Sequence, residues 1–206
     1  YFRTDLLHED ILSKGAINYG NYKAIDQRYS TDRFTNQLQG AYTFSKKLQL
    51  AATVAYTDYK RSTRTTRHDF EKNTDELTTG EGEQDISKFN SFVFRTTVQY
   101  QLSNKVSLQP GIDINREAAN GPRIANNPVI TDYAAFVSAE VKLGSKLNIR
   151  PGLRFVKNSV YNAPPVIPSI NTKFIISKKF DLRFAYAYGF RSPALRELYF
   201  YFVDAN

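Results

Sequence analysis

The chain has 206 residues, and its 28 lysines and arginines outnumber its 20 aspartates and glutamates, which gives a net charge of +8. It contains no cysteine, so disulfide bonds, cysteine zinc sites and a thiol nucleophile are excluded. Mean hydropathy is -0.47, and no apolar run approaches the roughly 18 residues of a membrane-spanning helix, which excludes a helical membrane protein. Basic residues are spread along the chain rather than gathered in one patch, so we predict no nucleic-acid partner.

One short pattern occurs four times along the chain, at residues 44–50, 102–108, 143–149 and 176–182. In each copy an apolar residue is followed by a short polar break ending in lysine, and then by apolar, polar and apolar residues. Each copy predicts a tight hairpin between two strands. Four hairpins give eight strands, or ten if residues 1–7 and 198–203 also pair. The stretches between hairpins, residues 61–88, 118–129 and 158–166, are predicted to be long loops.

The predicted strands alternate strictly between apolar and polar residues. After the first turn, Leu48, Leu50 and Val54 share one face, while Gln49 and Thr53 share the other. These strands are long enough for the roughly 9–11 residues that a tilted transmembrane strand requires. Aromatic residues gather near both strand ends, as in the two aromatic girdles of an outer-membrane barrel. We therefore predict an all-β fold of about 8–10 antiparallel up-and-down strands from a large transmembrane β-barrel. The alternative is a soluble secreted β-sandwich binding module, whose strands would alternate in the same way.

A Pro-Gly pair recurs at the same distance from two of the predicted turns. Pro110 and Pro151 each lie five residues beyond the turn lysine, inside an otherwise regular strand. Proline cannot donate to a strand ladder, so each predicts an edge or a bulge.

The stretch after the third predicted strand carries the densest charge. Arg64, Arg67 and His68 are assigned to an extracellular loop, where they serve either as a ligand gate or as solvated charges. The acids that follow lack the ordered ligand set of a calcium loop, so we predict no metal. His68 beside Asp69 also suggests part of a hydrolase pair, but no phosphate loop or nucleophile elbow accompanies it, and we predict no enzyme.

The last part of the chain, residues 187–200, carries the most specific motif. Its Phe190-Arg191-Ser192-Pro193, followed by Leu195, Glu197 and Leu198-Tyr199, resembles a box of TonB-dependent outer-membrane receptors, usually Phe-Arg-Ala-Pro followed by leucine, glutamate and Leu-Tyr. Ser192 departs from the alanine of that box. Residues 131–136 and 150–154 also look like barrel sequence of this family.

The resemblance implies a function and a set of partners. Such receptors take up a scarce nutrient across the outer membrane of Gram-negative bacteria, such as a ferric siderophore, haem or cobalamin, driven through TonB, and their barrel encloses a plug domain. Residues 1–206 would then be part of a single barrel domain, with the plug and the terminal strand absent. No signal peptide opens the chain, which predicts a mature or excised segment. Expected partners are TonB, the plug, outer-membrane lipid and an anionic metal chelate, haem or cobalamin. No cofactor is expected, and a haem-ligating histidine would lie beyond Asn206.

The polar face and the box supply the candidate site residues. Arginines on the polar face would attract an anionic chelate. The candidate ligand contacts are Arg154, Arg183, Arg191, Arg196 and Glu197. Alternatively, Ser192-Pro193 ends the strand and the charged residues of the box pair with each other and shape the barrel rim.

Overall fold

The computed structural model describes residues 1–201, and every strand in it belongs to one antiparallel sheet. The strands and the single helix have the following bounds: β1 Phe2–Ser13, β2 Lys23–Ser45, β3 Leu48–Asp69, β4 Thr74–Leu77, β5 Gln84–Gln101, β6 Val106–Asn120, β7 Val129–Leu143, β8 Leu147–Asn158, β9 Val166–Ser177, β10 Phe180–Ala187 and α1 Leu195–Tyr199.

The strands follow an up-and-down order, β1-β2-β3-β5-β6-β7-β8-β9-β10, and β4 pairs with the far end of β3. Among residues 1–201, β1 pairs only with β2 and β10 only with β9, so the described sheet is open. Because all strands form one sheet, the sandwich alternative is wrong. The all-β, up-and-down prediction of 8–10 strands is confirmed. Among the same residues, no helix has the length and apolar character needed to cross a membrane.

All four predicted hairpins are present, and they lie at one end of the sheet. They join β2 to β3, β5 to β6, β7 to β8 and β9 to β10, and we call this the turn end. The longer connections, residues 14–22, 70–83, 121–128 and 159–165, and the box all lie at the opposite end, the loop end. The sheet therefore has the short-turn and long-loop ends that the hairpin spacing predicts.

All three predicted loops are shorter than expected, the third by only one residue at each end. Residues 61–69 continue β3, and residues 84–88 begin β5, with Lys60 opposite Lys88 and Arg64 opposite Gln84. The 118–129 stretch shortens to residues 121–128 because β6 runs to Asn120. The strands extend because their polar residues still form backbone hydrogen bonds with the neighbouring strands.

The register places apolar residues of neighbouring strands on the same face. Leu50 is opposite Tyr42 and Val98, and Ile112 is opposite Thr96 and Ala135. This apolar face is largely uncovered within residues 1–201 and carries, among others, Leu38, Tyr42, Tyr56, Phe92, Tyr100, Ile112, Tyr133, Leu153, Phe155, Phe174, Leu182, Phe184 and Tyr186, all of them exposed.

The Pro-Gly pairs open the ladder without shifting its register. Pro110 pairs with Val137 of β7, but the pairing of β6 with β5 lapses between Gly111 and Leu108 and then resumes in the same register. The same lapse occurs on one side of Pro151, between Gly152 and Ile149. The prediction of an edge or a bulge is therefore wrong. Both strands lie inside the sheet, and the missing backbone donor of proline interrupts the cross-strand pairing only locally.

A compact hydrophobic core lies at the loop end. Ala119, Ile124, Ile130 and Leu195 are buried together, with Phe89, Tyr161, Tyr199 and Phe200 packed against them. Leu195 belongs to α1, so the box folds over the polar face of the sheet onto β6, β7 and their connecting loop. The strand predicted for residues 198–203 is wrong at its start, because residues 198 and 199 lie in α1; residues 202–203 lie outside the described part.

Candidate functional site

The box leaves the sheet earlier than its sequence suggests. β10 ends at Ala187, and Tyr188 still donates its backbone N–H to the Pro168 carbonyl at 3.0 Å. Beyond it the alternation stops, because Gly189 frees the backbone and Pro193 lacks a donor. Phe190 continues the alternation of Leu182, Phe184 and Tyr186, which places it on the apolar face by sequence. In the structure it instead lines a cavity of the polar face and lies near the Tyr161 ring, with 6.3 Å between centroids.

The box then docks onto the 121–128 loop through its backbone. Ala125 donates its N–H to the Tyr199 carbonyl at 3.0 Å, and Tyr201 donates its N–H to the Arg123 carbonyl at 3.2 Å. The Tyr201 hydroxyl donates to the Pro122 carbonyl at 2.6 Å. Together with buried Leu195, these contacts bring Arg196 and Phe200 beside residues of β2, β3 and β5.

The meeting point is a cavity of about 470 Å³ at the loop end. We call it the arginine cavity; it is lined by Tyr29, Tyr59, Arg61, Thr63, Ser87, Phe89, Arg123, Arg196 and Phe200. Its volume falls within the roughly 300–1,000 Å³ of small-molecule sites. Three of its lining residues are cationic and four are aromatic.

Aromatic rings hold the three guanidinium groups in place. The Cζ of Arg61 lies 4.5 Å from the centroid of the Tyr29 ring. The Cζ atoms of Arg123 and Arg196 lie 5.0 and 5.1 Å from the centroid of Phe200. A cation stacked on a ring keeps its charge available to a further anion, because the ring contributes no neutralising group. The cavity therefore offers positive charge and flat apolar surfaces to one ligand.

Arg123 is fixed from behind by a buried carboxylate. Asp85 is only 2% exposed, and its Oδ2 accepts hydrogen bonds from Arg123 Nε at 2.9 Å and from Ser87 Oγ at 3.0 Å. Arg123 Nη2 lies 2.8 Å from the same oxygen. Within residues 1–201, Asp85 Oδ1 is buried without a hydrogen-bond partner. Asp85 thus orients Arg123 and removes part of the positive charge of the cavity.

The predicted ligand residues fall in separate places. Arg196 lines the arginine cavity. Arg191 forms an ion pair with Glu197 inside the box. Arg154 lies midway along β8, 3.0 Å from Asp113, which also binds Arg95 at 2.6 Å. Arg183 lies near the turn end beside Asp181, at 3.3 Å. The fold therefore brings Arg191 and Glu197 together, places Arg154 in a cavity that Phe190 and Ser192 of the box also line, and leaves Arg183 near the turn end.

The pairing of Glu197 has an electrostatic consequence. Its Oε2 accepts the backbone N–H of Ala194 at 2.9 Å. That hydrogen bond, and next the Arg191 guanidinium, hold the pKa of Glu197 below its usual range. The carboxylate therefore stays charged at neutral pH and keeps the start of α1 tied to Arg191.

The residues predicted in an extracellular loop lie in strand β3. Arg64 is opposite Arg28 of β2, and Arg67 is opposite Ile25. His68 Nδ1 lies 2.7 Å from Asp75 Oδ1 on β4, so its acid partner is not Asp69. The placement in a loop is thus corrected to strand, while the extracellular location stays a prediction.

Sequence reasoning missed most of the arginine cavity. Alternation places Tyr59 and Arg61 on the polar face, which is a usable signal. Arg123 lies in a loop and Phe200 follows the box, and no local pattern connects either with β3. Their approach depends on how the box crosses the sheet.

Comparison with known proteins agrees with this architecture. The sequence model described as "TonB dependent receptor-like, beta-barrel" matches residues 2–206. The chain belongs to this family. The crystal structure of the siderophore receptor PirA from Pseudomonas aeruginosa is similar to 90% of the chain, with a TM-score of 0.52 and 13% identity. The chain spans 42% of the length of that receptor. No curated protein matches the sequence.

The similarity to PirA concerns the fold, and it agrees with the family match. A TonB-dependent receptor barrel accounts for the up-and-down order, the turn and loop ends and the separate apolar and polar faces. In barrels of this kind the apolar face meets lipid and the polar face lines the interior. The arginine cavity then lies on the interior wall near the loop end.

Proposed function

We propose that this chain is a section of the barrel of a TonB-dependent receptor in the outer membrane of a Gram-negative bacterium. The receptor takes up a scarce nutrient as an anionic metal chelate, such as a ferric siderophore, with haem and cobalamin as alternatives. Its partners are TonB, an enclosed plug domain and outer-membrane lipid, and it needs no cofactor of its own. Family membership supports the transport class, and the siderophore receptor PirA supports the choice of ligand class.

The arginine cavity is the observation that carries this proposal. Three arginines with aromatic stacking partners at the loop end are suited to the first capture of an anionic, partly flat ligand. Arg196 and, through the box, Arg191 and Glu197 belong to this entrance. Arg154, midway along β8, and Arg183, near the turn end, line the polar face and provide later contacts along the ligand path. Arg64, Arg67 and His68 belong to the surface around the entrance.

The charge balance explains why we place capture at the entrance. Five cations that the sequence places on the polar face each have a carboxylate partner: Arg95, Arg150, Arg154, Arg183 and Arg191. A paired cation attracts an anion less strongly than one whose contact is an aromatic ring. In the arginine cavity, Arg61 stacks on the Tyr29 ring and forms no ion pair within residues 1–201, so its charge remains available to an anion.

Binding measurements on the complete receptor test the proposal. The probes are an anionic ferric tris-catecholate, a neutral ferric trihydroxamate, haemin and cyanocobalamin. The triple change Arg61→Gln, Arg123→Gln and Arg196→Gln should weaken binding of the anionic chelate by at least about tenfold, because charged hydrogen bonds contribute about 1.5–3 kcal/mol each. Binding of the neutral chelate should change much less.

Lys105→Gln at the turn end serves as the control for altered charge and should leave all affinities unchanged. Equal affinity of the triple variant and the wild type for every probe would remove the cavity from the ligand path. Failure of the wild type to support growth on any of the four nutrients would overturn the transport proposal itself.

A further inference from the structure

A row of basic side chains lies on the apolar face of the sheet, just beyond its aromatic band at the loop end. Lys60, Lys88, Arg116 and Lys157 are all exposed. Register places each of them on the same face as the aromatic residues, since Arg116 is opposite Phe92 and Lys157 is opposite Tyr133. A cation on that face points away from the interior ligand path and toward whatever surrounds the barrel.

Two of these residues form a like-charge pair. Lys60 and Lys88 are direct cross-strand partners in β3 and β5. Like charges directly opposite each other in a sheet destabilise it. Among residues 1–201, neither lysine forms an ion pair, nor do Arg116 and Lys157. A shared external anion would remove this repulsion.

The acidic groups nearest to this row do not neutralise it. Asp58 is exposed on the same face, two residues before Lys60, and forms no ion pair in the described part of the chain. Asp32 is opposite Lys60 on β2, but its carboxylate lies 2.7 Å from His8 Nδ1. The row therefore keeps a net positive charge.

The position of this basic row indicates the chemistry of its partner. Aromatic residues of a membrane barrel lie at the level of the lipid headgroups, and the row begins beside Phe92 and Tyr133. We propose that Lys60, Lys88, Arg116 and Lys157 bind the phosphate groups of phosphorylated lipid in the outer leaflet. This inference rests on the proposed membrane location and is independent of the transported ligand.

The test uses the complete receptor, purified in zwitterionic detergent. The receptor is titrated with diphosphoryl lipid A, and native mass spectrometry counts the lipid molecules that it retains. The fourfold change of Lys60, Lys88, Arg116 and Lys157 to glutamine should weaken retention by at least about tenfold, because it removes four cations that attract the anionic headgroup. A matched control changes four turn-end lysines to glutamine: Lys47, Lys105, Lys146 and Lys179.

The control has the same loss of charge and should retain lipid A as the wild type does. If both variants lose lipid A equally, general charge attraction explains its binding. If both retain lipid A equally, the four residues do not form a lipid site. Either result overturns the proposal. Inorganic phosphate at the same phosphate concentration should not displace the lipid, and complete displacement would also overturn it.

A charge-conserving variant guards against misfolding. The triple variant Lys60→Arg, Lys88→Arg and Lys157→Arg should retain lipid A. If this variant loses lipid A while its barrel still shows heat-modifiable gel mobility, the proposal is contradicted. Chelate binding should be unchanged in all of these variants, so failure here is distinguishable from failure of the proposed transport function.

Discussion

At the level of single residues, the interior wall is a set of paired charges. Asp113 is 6% exposed and lies between Arg95 and Arg154, and Glu140 lies 2.8 Å from Arg150. The Arg95–Asp113 and Arg150–Glu140 pairs join neighbouring strands on the polar face, whereas the Arg154–Asp113 pair reaches from β8 across β7 to β6. The buried Asp113 carboxylate needs an arginine partner, because an unpaired buried charge costs several kcal/mol.

Asp85 offers the sharpest test at this scale. It anchors Arg123 through Oδ2 and is almost fully buried. Asp85→Ala in the complete receptor should destabilise the barrel by about 3–5 kcal/mol, because it leaves the Arg123 guanidinium, which is only 23% exposed, without its partner. Equilibrium unfolding in urea measures the loss.

The matched control is Ser87→Ala, which removes one neutral donor to the same carboxylate and should cost about 1 kcal/mol. If the two variants lose equal stability, the ion pair does not hold Arg123.

At the level of elements, the hairpins could be predicted and the box could not. A polar break between two alternating runs is a local signal, and all four hairpins follow from it. The extension of β3 to Asp69 was missed because its residues are polar on both faces, so alternation gives no signal toward the loop end. The docking of α1 was missed because it depends on Ile124 and Ala119, which lie far from Leu195 in the sequence.

Gly111, in the first Pro-Gly pair, shows a related limit of sequence-based prediction. A Cβ at Gly111 would lie 2.3 Å from Phe136 Cζ and 2.4 Å from the Thr96 carbonyl oxygen. Phe136 of β7 therefore covers the backbone where the ladder opens at Pro110. Sequence indicates that the position is special, but only the neighbouring strand shows why a side chain does not fit there.

The apolar face can be tested on β6. Ile112 is 49% exposed on that face, and Ile112→Arg in the complete receptor should destabilise the barrel by about 2–4 kcal/mol if the residue faces lipid near the bilayer centre. Gln99→Arg is the control, since Gln99 is exposed on the opposite face of neighbouring β5. Folding of both variants is measured by urea titration in lipid vesicles.

Gln99 suits this comparison better than Asp113, because Asp113→Arg would also break two ion pairs. Equal destabilisation by Ile112→Arg and Gln99→Arg would contradict the assignment of one face to lipid and the other to the interior.

At the level of the whole molecule, the described strands form one sheet with little core. Among residues 1–201, the buried core residues are Ala24, Ala119, Ile124, Ile130, Ala134 and Leu195, and four of these gather where the box meets the 121–128 loop. Stability must then come from the backbone ladder and from covering the two faces. Membership in a barrel family provides both covers, lipid on the apolar face and interior contents on the polar face.

The isolated 206-residue chain should therefore behave differently from the complete receptor. Within residues 1–201 the outer edges of β1 and β10 are unpaired, and unpaired backbone groups are not tolerated in a bilayer and promote association in water. We expect the chain, refolded in detergent or with vesicles, to self-associate through these edges and the apolar face. Light scattering after size-exclusion chromatography measures the assembly, with the complete receptor as the monomeric control. A monodisperse monomer of this chain that inserts into vesicles and conducts ions would show that ten strands close by themselves, and the prediction would be wrong.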